Sequence, residues 1–389
     1  MNAASGIEGV QAPRNSRMVF LDFIRGISAI AVCAGHLRAA MIVDYANANT
    51  SSIFSKLFYL ATGLGHQAVM VFFVLSGYFV GGSILRNKAA FKWSQYGLTR
   101  LTRLWIVLIP GLLLTAMIDQ LISRVDSTVF EGAYWMVWNS GPSPDKPYSE
   151  SLSTLLGNIA FLQTIEVPVF GTNAPLWSLA NEFWYYLLFP MLLHASREFS
   201  VLQSSVWKRM LYPLLALLIL LWLPGSIRQG FLIWCLGVLV WISSTSTFMR
   251  RFASSRMLGA LIFFAALGYS KSAGAQAYIR IPGDYVVGLG FAFLALAISV
   301  HKPRPDLQRS LFGRLACFLS DFSYSLYVVH FPVVIAISVI CYHSGKAVPD
   351  AITLLQYAFW LCLLIAIGIA FWWAFESRTK ALRRLFVSH

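Results

Sequence analysis

Ten stretches of this chain stay apolar over the length of a membrane crossing, and no other feature constrains its fold as strongly. A hydrocarbon layer about 30 Å thick needs roughly 20 predominantly apolar helical residues per crossing. Such stretches fall at 18–43, 66–86, 104–122, 175–195, 209–224, 229–244, 257–271, 284–300, 321–342 and 352–375, the sixth and seventh being short. An eleventh apolar stretch, 152–165, is too short to cross and is expected to form an interfacial or re-entrant helix. Composition agrees with this reading. Of 389 residues, 58% are hydrophobic and 12% charged, against about 45–50% and about 25% in soluble domains. The expected fold is all-α and polytopic, with about ten transmembrane helices. One membrane domain over 18–376 follows an N-terminal tail, 1–17, and precedes a basic tail, 377–389. The first eighteen residues lack the pattern of a cleaved signal, so the first span is expected to be retained.

Thirty Lys and Arg against sixteen Asp and Glu give a formal charge of +14. Such an excess points either to nucleic acid or to an anionic membrane surface. Its distribution decides. Alternate loops on one side, with both tails, hold 21 of the cations; the opposite loops hold seven, and Arg25 and Arg38 lie within the first span. Cationic loops face the cytoplasm, so both termini are expected there and no nucleic-acid partner is needed. Five cysteines (Cys33, Cys235, Cys317, Cys341, Cys362) sit in apolar surroundings without CxxC spacing and read as small buried hydrophobes. The long outer loop, 123–174, carries Asp126, Glu131, Asp145, Glu150 and Glu166 among Tyr134, Trp135, Trp138 and Tyr148. That mixture suits either a carbohydrate surface or an interfacial aromatic belt.

Charged side chains inside spans cost at least about 2.5–3.5 kcal/mol on insertion scales, so they turn toward protein or aqueous cavities. The first span carries Asp22, Arg25 and His36. Asp22 and Arg25 are i,i+3 neighbours that can pair. Arg25 and His36 are eleven residues apart, nearly three turns, which places them on one face about 16 Å apart. Glu182 lies seven residues into the fourth span, near Trp177, Ser178 and Asn181. It is expected at the depth of His36, where it would orient the imidazole or hold an acceptor hydroxyl; an ion pair with Arg38 is the structural alternative. In the second span, Ser76-Gly77-Tyr78 allows close helix approach or passage of a thin substrate, and His66 at its outer end joins the outer site or marks the interface. Tyr327 and His330 in the ninth span form a structural ladder or part of a catalytic site. Glu376 reads as a structural counter-charge. Arg100 and Arg103 share a helical face where guanidinium forks could grip phosphate or lipid head groups. The His and carboxylate spacings form no convincing metal site.

Taken in order, these segments resemble acyltransferase family 3, the integral-membrane O-acyltransferases. Leu21-Asp-Phe-Ile-Arg25 through His36 is similar to the family's Arg-x10-His pattern, and Phe72-Phe-Val-Leu-Ser-Gly-Tyr78 to its Ser-Gly motif. Arg100-Leu-Thr-Arg103, Trp177-Ser-Leu-Ala-Asn-Glu182 and Ser323-Tyr-Ser-Leu-Tyr-Val-Val-His330 follow in family order. Two departures stand out: Glu376 is not followed by the usual proline, and His66-Gln67 replaces the commoner Gly-Val. The resemblance implies transfer of an acyl group, usually acetyl, from cytoplasmic acyl-CoA to a hydroxyl of an extracytoplasmic saccharide. It implies a bacterial inner-membrane location, acyl-CoA as co-substrate and no permanently bound cofactor. His36, Glu182 and Arg25 would be catalytic. Asp22, Ser76, Tyr78, Arg100, Arg103, Trp177, Ser178, Asn181, Tyr327, His330 and His66 would bind substrates. A proton-coupled transporter or flippase using Asp22, Arg25, His36 and Glu182 is the rival reading.

Overall fold

The computed structural model describes residues 16–48, 52–132, 135, 140–143, 147–196, 206–248, 255–279, 281–301 and 305–387, and among these no strand occurs. Ten main helices build the bundle. They are α1 (Ser16–Met41), α2 (Gly65–Arg86), α3 (Trp93–Ser123), α4 (Trp177–Leu193) and α5 (Val206–Trp222). After them come α6 (Gly225–Thr245), α7 (Arg256–Lys271), α8 (Gly283–Ser299), α9 (Ser323–Cys341) and α10 (Ala351–Ala374). Each expected apolar stretch falls on one of them. Among the described residues six, namely α1, α2, α3, α6, α9 and the helix beginning at Ala351, are long and apolar enough to cross a membrane. The remaining four have 16 or 17 residues, short of the roughly 20 that hydrocarbon requires.

Small residues set the tightest crossing. A Cβ on Gly77 would lie 1.9 Å from the Trp234 carbonyl oxygen, and one on Gly237 1.9 Å from that of Val74. Gly77 and Gly237 therefore let α2 and α6 touch backbone to backbone, which settles the Ser76-Gly77 pair in favour of packing at Gly77. Prolines within helices remove a donor and free the carbonyl four residues earlier. Two such carbonyls are captured by side chains. Asn173 Nδ2 donates to Val328 O, opposite Pro332, at 2.9 Å, and the Tyr96 hydroxyl donates to Tyr186 O, opposite Pro190, at 2.9 Å. These bonds hold α9 and α4 against their neighbours without leaving bare backbone in an apolar interior.

The stretch 152–165 runs into the bundle and out again. Ser151 caps the short helix Leu152–Ile159 by accepting from Thr154 N. Ile159 O then accepts from the Trp105 indole at 2.9 Å, while Thr172 returns to donate twice to Asp119. Trp105 and Asp119 are fourteen residues apart on α3, about 21 Å along its axis, so the segment dives deep into the bundle and comes back. Phe161 (φ 60°) and Thr164 (φ 64°) make the turn at its bottom. Asp119, 1% exposed, is satisfied by the Thr172 amide and hydroxyl.

Tyr134, Trp138 and Asp145 of the outer loop lie outside the described residues, as do the cations Arg14, Lys146, Arg197, Arg250, Arg251, Arg280, Lys302 and Arg304. Of the five cysteines only Cys33 is buried; Cys341 and Cys362 are exposed. The expectation of five buried thiols fails because these two sit on outward faces of apolar helices.

Candidate active site

A cavity of about 290 Å³ opens among α1, α2, α3, α4 and α9. At one end it is lined by Arg100 and Arg103, in its middle by Asp22, Arg25, Ser76 and Glu182, and at the other end by Ser178 and Tyr327. The ordering follows from chain direction. Along α9 the lining residues Ser323, Tyr324 and Tyr327 lead toward His330, and along α4 Ser178, Glu182 and Tyr186 lead back toward the arginines.

Four of the cavity charges are held by neighbours. Arg25 lies 3.9 Å from Asp22, with its guanidinium 4.5 Å above the Phe79 ring, and Asp22 also accepts from the Ser320 hydroxyl. A cation over an aromatic face recovers part of its hydration energy. Glu182 accepts a short hydrogen bond from the Tyr186 hydroxyl. That hydroxyl accepts from Ser76 Oγ at 3.3 Å, and Ser76 in turn accepts from the Trp234 indole at 3.1 Å. Arg100 donates to Ser83 Oγ and lies 5.3 and 5.6 Å from the rings of Tyr96 and Tyr186. Glu376 holds the start of α9 by accepting from the Ser325 amide and hydroxyl.

At the far end the cavity is closed. The Tyr327 hydroxyl lies 2.6 Å from Ser178 Oγ and 2.8 Å from Pro175 O, joining α9 to the start of α4. One turn further along α9 lies His330, whose ring is nearly coplanar with that of His36 and meets it end to end, with centroids 5.2 Å apart and planes within 7°. His36 Nδ1 and His330 Nε2 are 2.9 Å apart. The other nitrogen of His330, Nδ1, lies 2.8 Å from Tyr327 O and 3.1 Å from Leu326 O. Carbonyl oxygens only accept, so His330 Nδ1 carries a proton and a neutral His330 offers a lone pair at Nε2. His36 Nδ1–H donates to that lone pair. The remaining nitrogen of His36, Nε2, is thereby left unprotonated, and no hydrogen bond occupies it among the described residues. A backbone carbonyl thus fixes the tautomer of one imidazole, and that imidazole fixes the next.

The structure brings together Asp22, Arg25, Ser76, Arg100, Arg103, Ser178, Glu182 and Tyr327 in one cavity, and His36 with His330 beside it. It separates others. Glu182 stands with Arg25 and Tyr186, and no contact joins it to His36; the ring partner of His36 is His330. Arg38, the alternative partner of Glu182, instead lies 3.4 Å from Asp44. His66 pairs with Asp284 at 2.9 Å on an exposed surface rather than with His36. Trp177 packs edge-on against Phe73 at 6.2 Å, Tyr78 packs against Phe79, and Asn181 is buried beside Tyr185, all three outside the cavity wall. The inward dip of the chain before α4 explains the misplacement of Glu182. Its depth was counted from Pro175, but the chain begins α4 below the bundle end, after that dip. Sequence reasoning missed Tyr186 and Asn173, although a proline's freed carbonyl at Val328 called for a donor such as Asn173.

Among the described residues, an all-helical bundle with six membrane-length apolar helices and a charged internal cavity defines a multi-pass membrane protein. The chain belongs to the acyltransferase family 3, whose Acyltransferase domain profile matches residues 18–376, nearly its whole length. No curated protein and no solved structure matches it. It is a membrane acyltransferase.

Proposed function

We propose that this protein moves an acyl group, most simply acetyl, from cytoplasmic acyl-CoA to a hydroxyl of an extracytoplasmic glycan or lipid-linked saccharide. The observation that carries the reading is the free Nε2 of His36, held by His330 one turn beyond the end of an arginine-mouthed cavity. Ten crossings with both termini cytoplasmic, in a bacterial inner membrane, would set the arginine mouth on the acyl-CoA side.

In this reading CoA phosphates meet Arg100 and Arg103, and the thin pantetheine arm runs along the cavity past Arg25. Asp22 holds Arg25 in place, while Glu182 balances its charge. Opening of the Tyr327–Ser178 contact admits the thioester to His36. Nε2 takes the proton of the acceptor hydroxyl as its oxygen bonds to the thioester carbonyl carbon. Collapse of the tetrahedral adduct breaks the C–S bond, and the thiolate recovers the proton from the imidazolium. Transfer through an acyl-histidine would use the same nitrogen as nucleophile.

Purified protein given acetyl-labelled CoA and envelope glycan tests this. The expected result is label bound to glycan through an alkali-labile ester, lost in His36→Ala. Translocation of an unmodified substrate, as the transporter reading requires, or undiminished transfer by His36→Ala, refutes it.

A further inference from the structure

Beyond the family domain the chain forms one more helix, α11 (Thr379–Val387), with Lys380, Arg383 and Arg384 along it. This helix packs on α3 at the cavity mouth. Arg383 Nη2 donates to Thr99 O at 3.4 Å, one residue from Arg100, and its guanidinium is within electrostatic reach of both Arg100 and Arg103. The Nε atoms of Arg100 and Arg383 are buried without a hydrogen-bond partner. No carboxylate among the described residues forms an ion pair with either of them. Three guanidinium groups, two with an unspent donor, therefore cluster at one end of the cavity against their mutual repulsion, Arg100 and Arg103 in its lining and Arg383 just behind them.

We infer that Arg383 is a third phosphate-binding residue of the donor site, so that α11, although outside the family domain, forms part of the wall that receives the nucleotide end of acyl-CoA. The inference rests on the acyl-CoA reading above. Its own warrant is charge and geometry. Arginine forks bind phosphate oxygens in pairs, and three forks suit a ligand with several phosphate charges. A lipid phosphodiester brings one. The cavity behind the mouth accepts a thin chain, which matches a donor with a charged head and a slender arm.

The test reads binding without turnover, so that it can fail or succeed independently of acyl transfer. Adenosine 3′,5′-bisphosphate is titrated into the full-length protein in zwitterionic nanodiscs. Arg383→Gln should weaken its binding by about ten- to a hundredfold, the size expected for one charge-assisted bond. Arg383→Lys, which keeps the charge but loses the fork, should fall between. Arg384→Gln removes the same charge from an exposed neighbour and should stay within about twofold. Equal binding by wild type and Arg383→Gln, or an equal loss in Arg383→Gln and Arg384→Gln, would overturn the inference. So would failure of wild type to bind the nucleotide while Arg383→Gln sheds phosphatidylglycerol from mixed nanodiscs, since a lipid head group would then be the occupant.

Discussion

If His330 selects the tautomer of His36, deleting its acceptor atom should cost rate without removing the base itself. In His330→Leu the Nδ1–H of His36 loses its partner and the proton is free to settle on Nε2. A buried donor left unpaired costs about 1–3 kcal/mol, and about 1.4 kcal/mol corresponds to a factor of ten. The population of His36 presenting a bare Nε2 should therefore fall roughly 5- to 150-fold, and kcat with it. His330→Gln restores an amide oxygen that can accept from Nδ1–H, so it should recover much of that loss. His36→Gln removes the base and should lose the larger factor of about 10²–10⁴ expected for general base catalysis. Thiol release from acetyl-CoA in the presence of acceptor glycan measures all three, and KM for acetyl-CoA should barely change because the donor mouth is untouched. A full rate in His330→Leu, or a His330→Gln variant no faster than His330→Leu, would refute the relay.

Three further outcomes follow from other parts of the fold. Gly237→Ala places a methyl group 1.9 Å from Val74 O; the forced separation of α2 and α6 should cost at least the 1–3 kcal/mol typical of overpacking, seen as a lowered melting temperature in detergent. Arg100→Ala combined with Arg103→Ala should raise KM for acyl-CoA at least tenfold and leave KM for acyl-pantetheine within about twofold. At Asp350, where the carboxylate caps α10, the Thr353 amide and hydroxyl hold its pKa below the ordinary 3.8. Its contribution is full above that value and is lost as pH falls through the lower folded value, so wild type and Asp350→Asn should converge in melting temperature in strong acid.

The apolar helices were legible because apolar length is written directly into the sequence; all ten stretches fall on helices, and six of those described are long enough to cross a membrane. Intramembrane Asp22 and Arg25 announced their pairing through i,i+3 spacing. His36 with His330 was harder, since 294 residues separate them and each alone reads as an ordinary interhelical contact. Glu182 was misjudged in depth for a definite reason: residues 152–174 dip into the bundle, and a count from the loop's last residue assumes a loop that stays outside. The side chains that rescue proline-freed carbonyls, Asn173 and Tyr96, came from distant segments that no local pattern links to Pro332 or Pro190.

The contact between the Tyr327 and Ser178 hydroxyls has a consequence for the cell as an electrical object. A wet conduit open at both ends would let protons leak down their gradient with every turnover. Two hydroxyls and a backbone carbonyl stopper the chamber short of the paired imidazoles, so a chamber with nothing to admit stays shut and the insulating layer stays whole between turnovers.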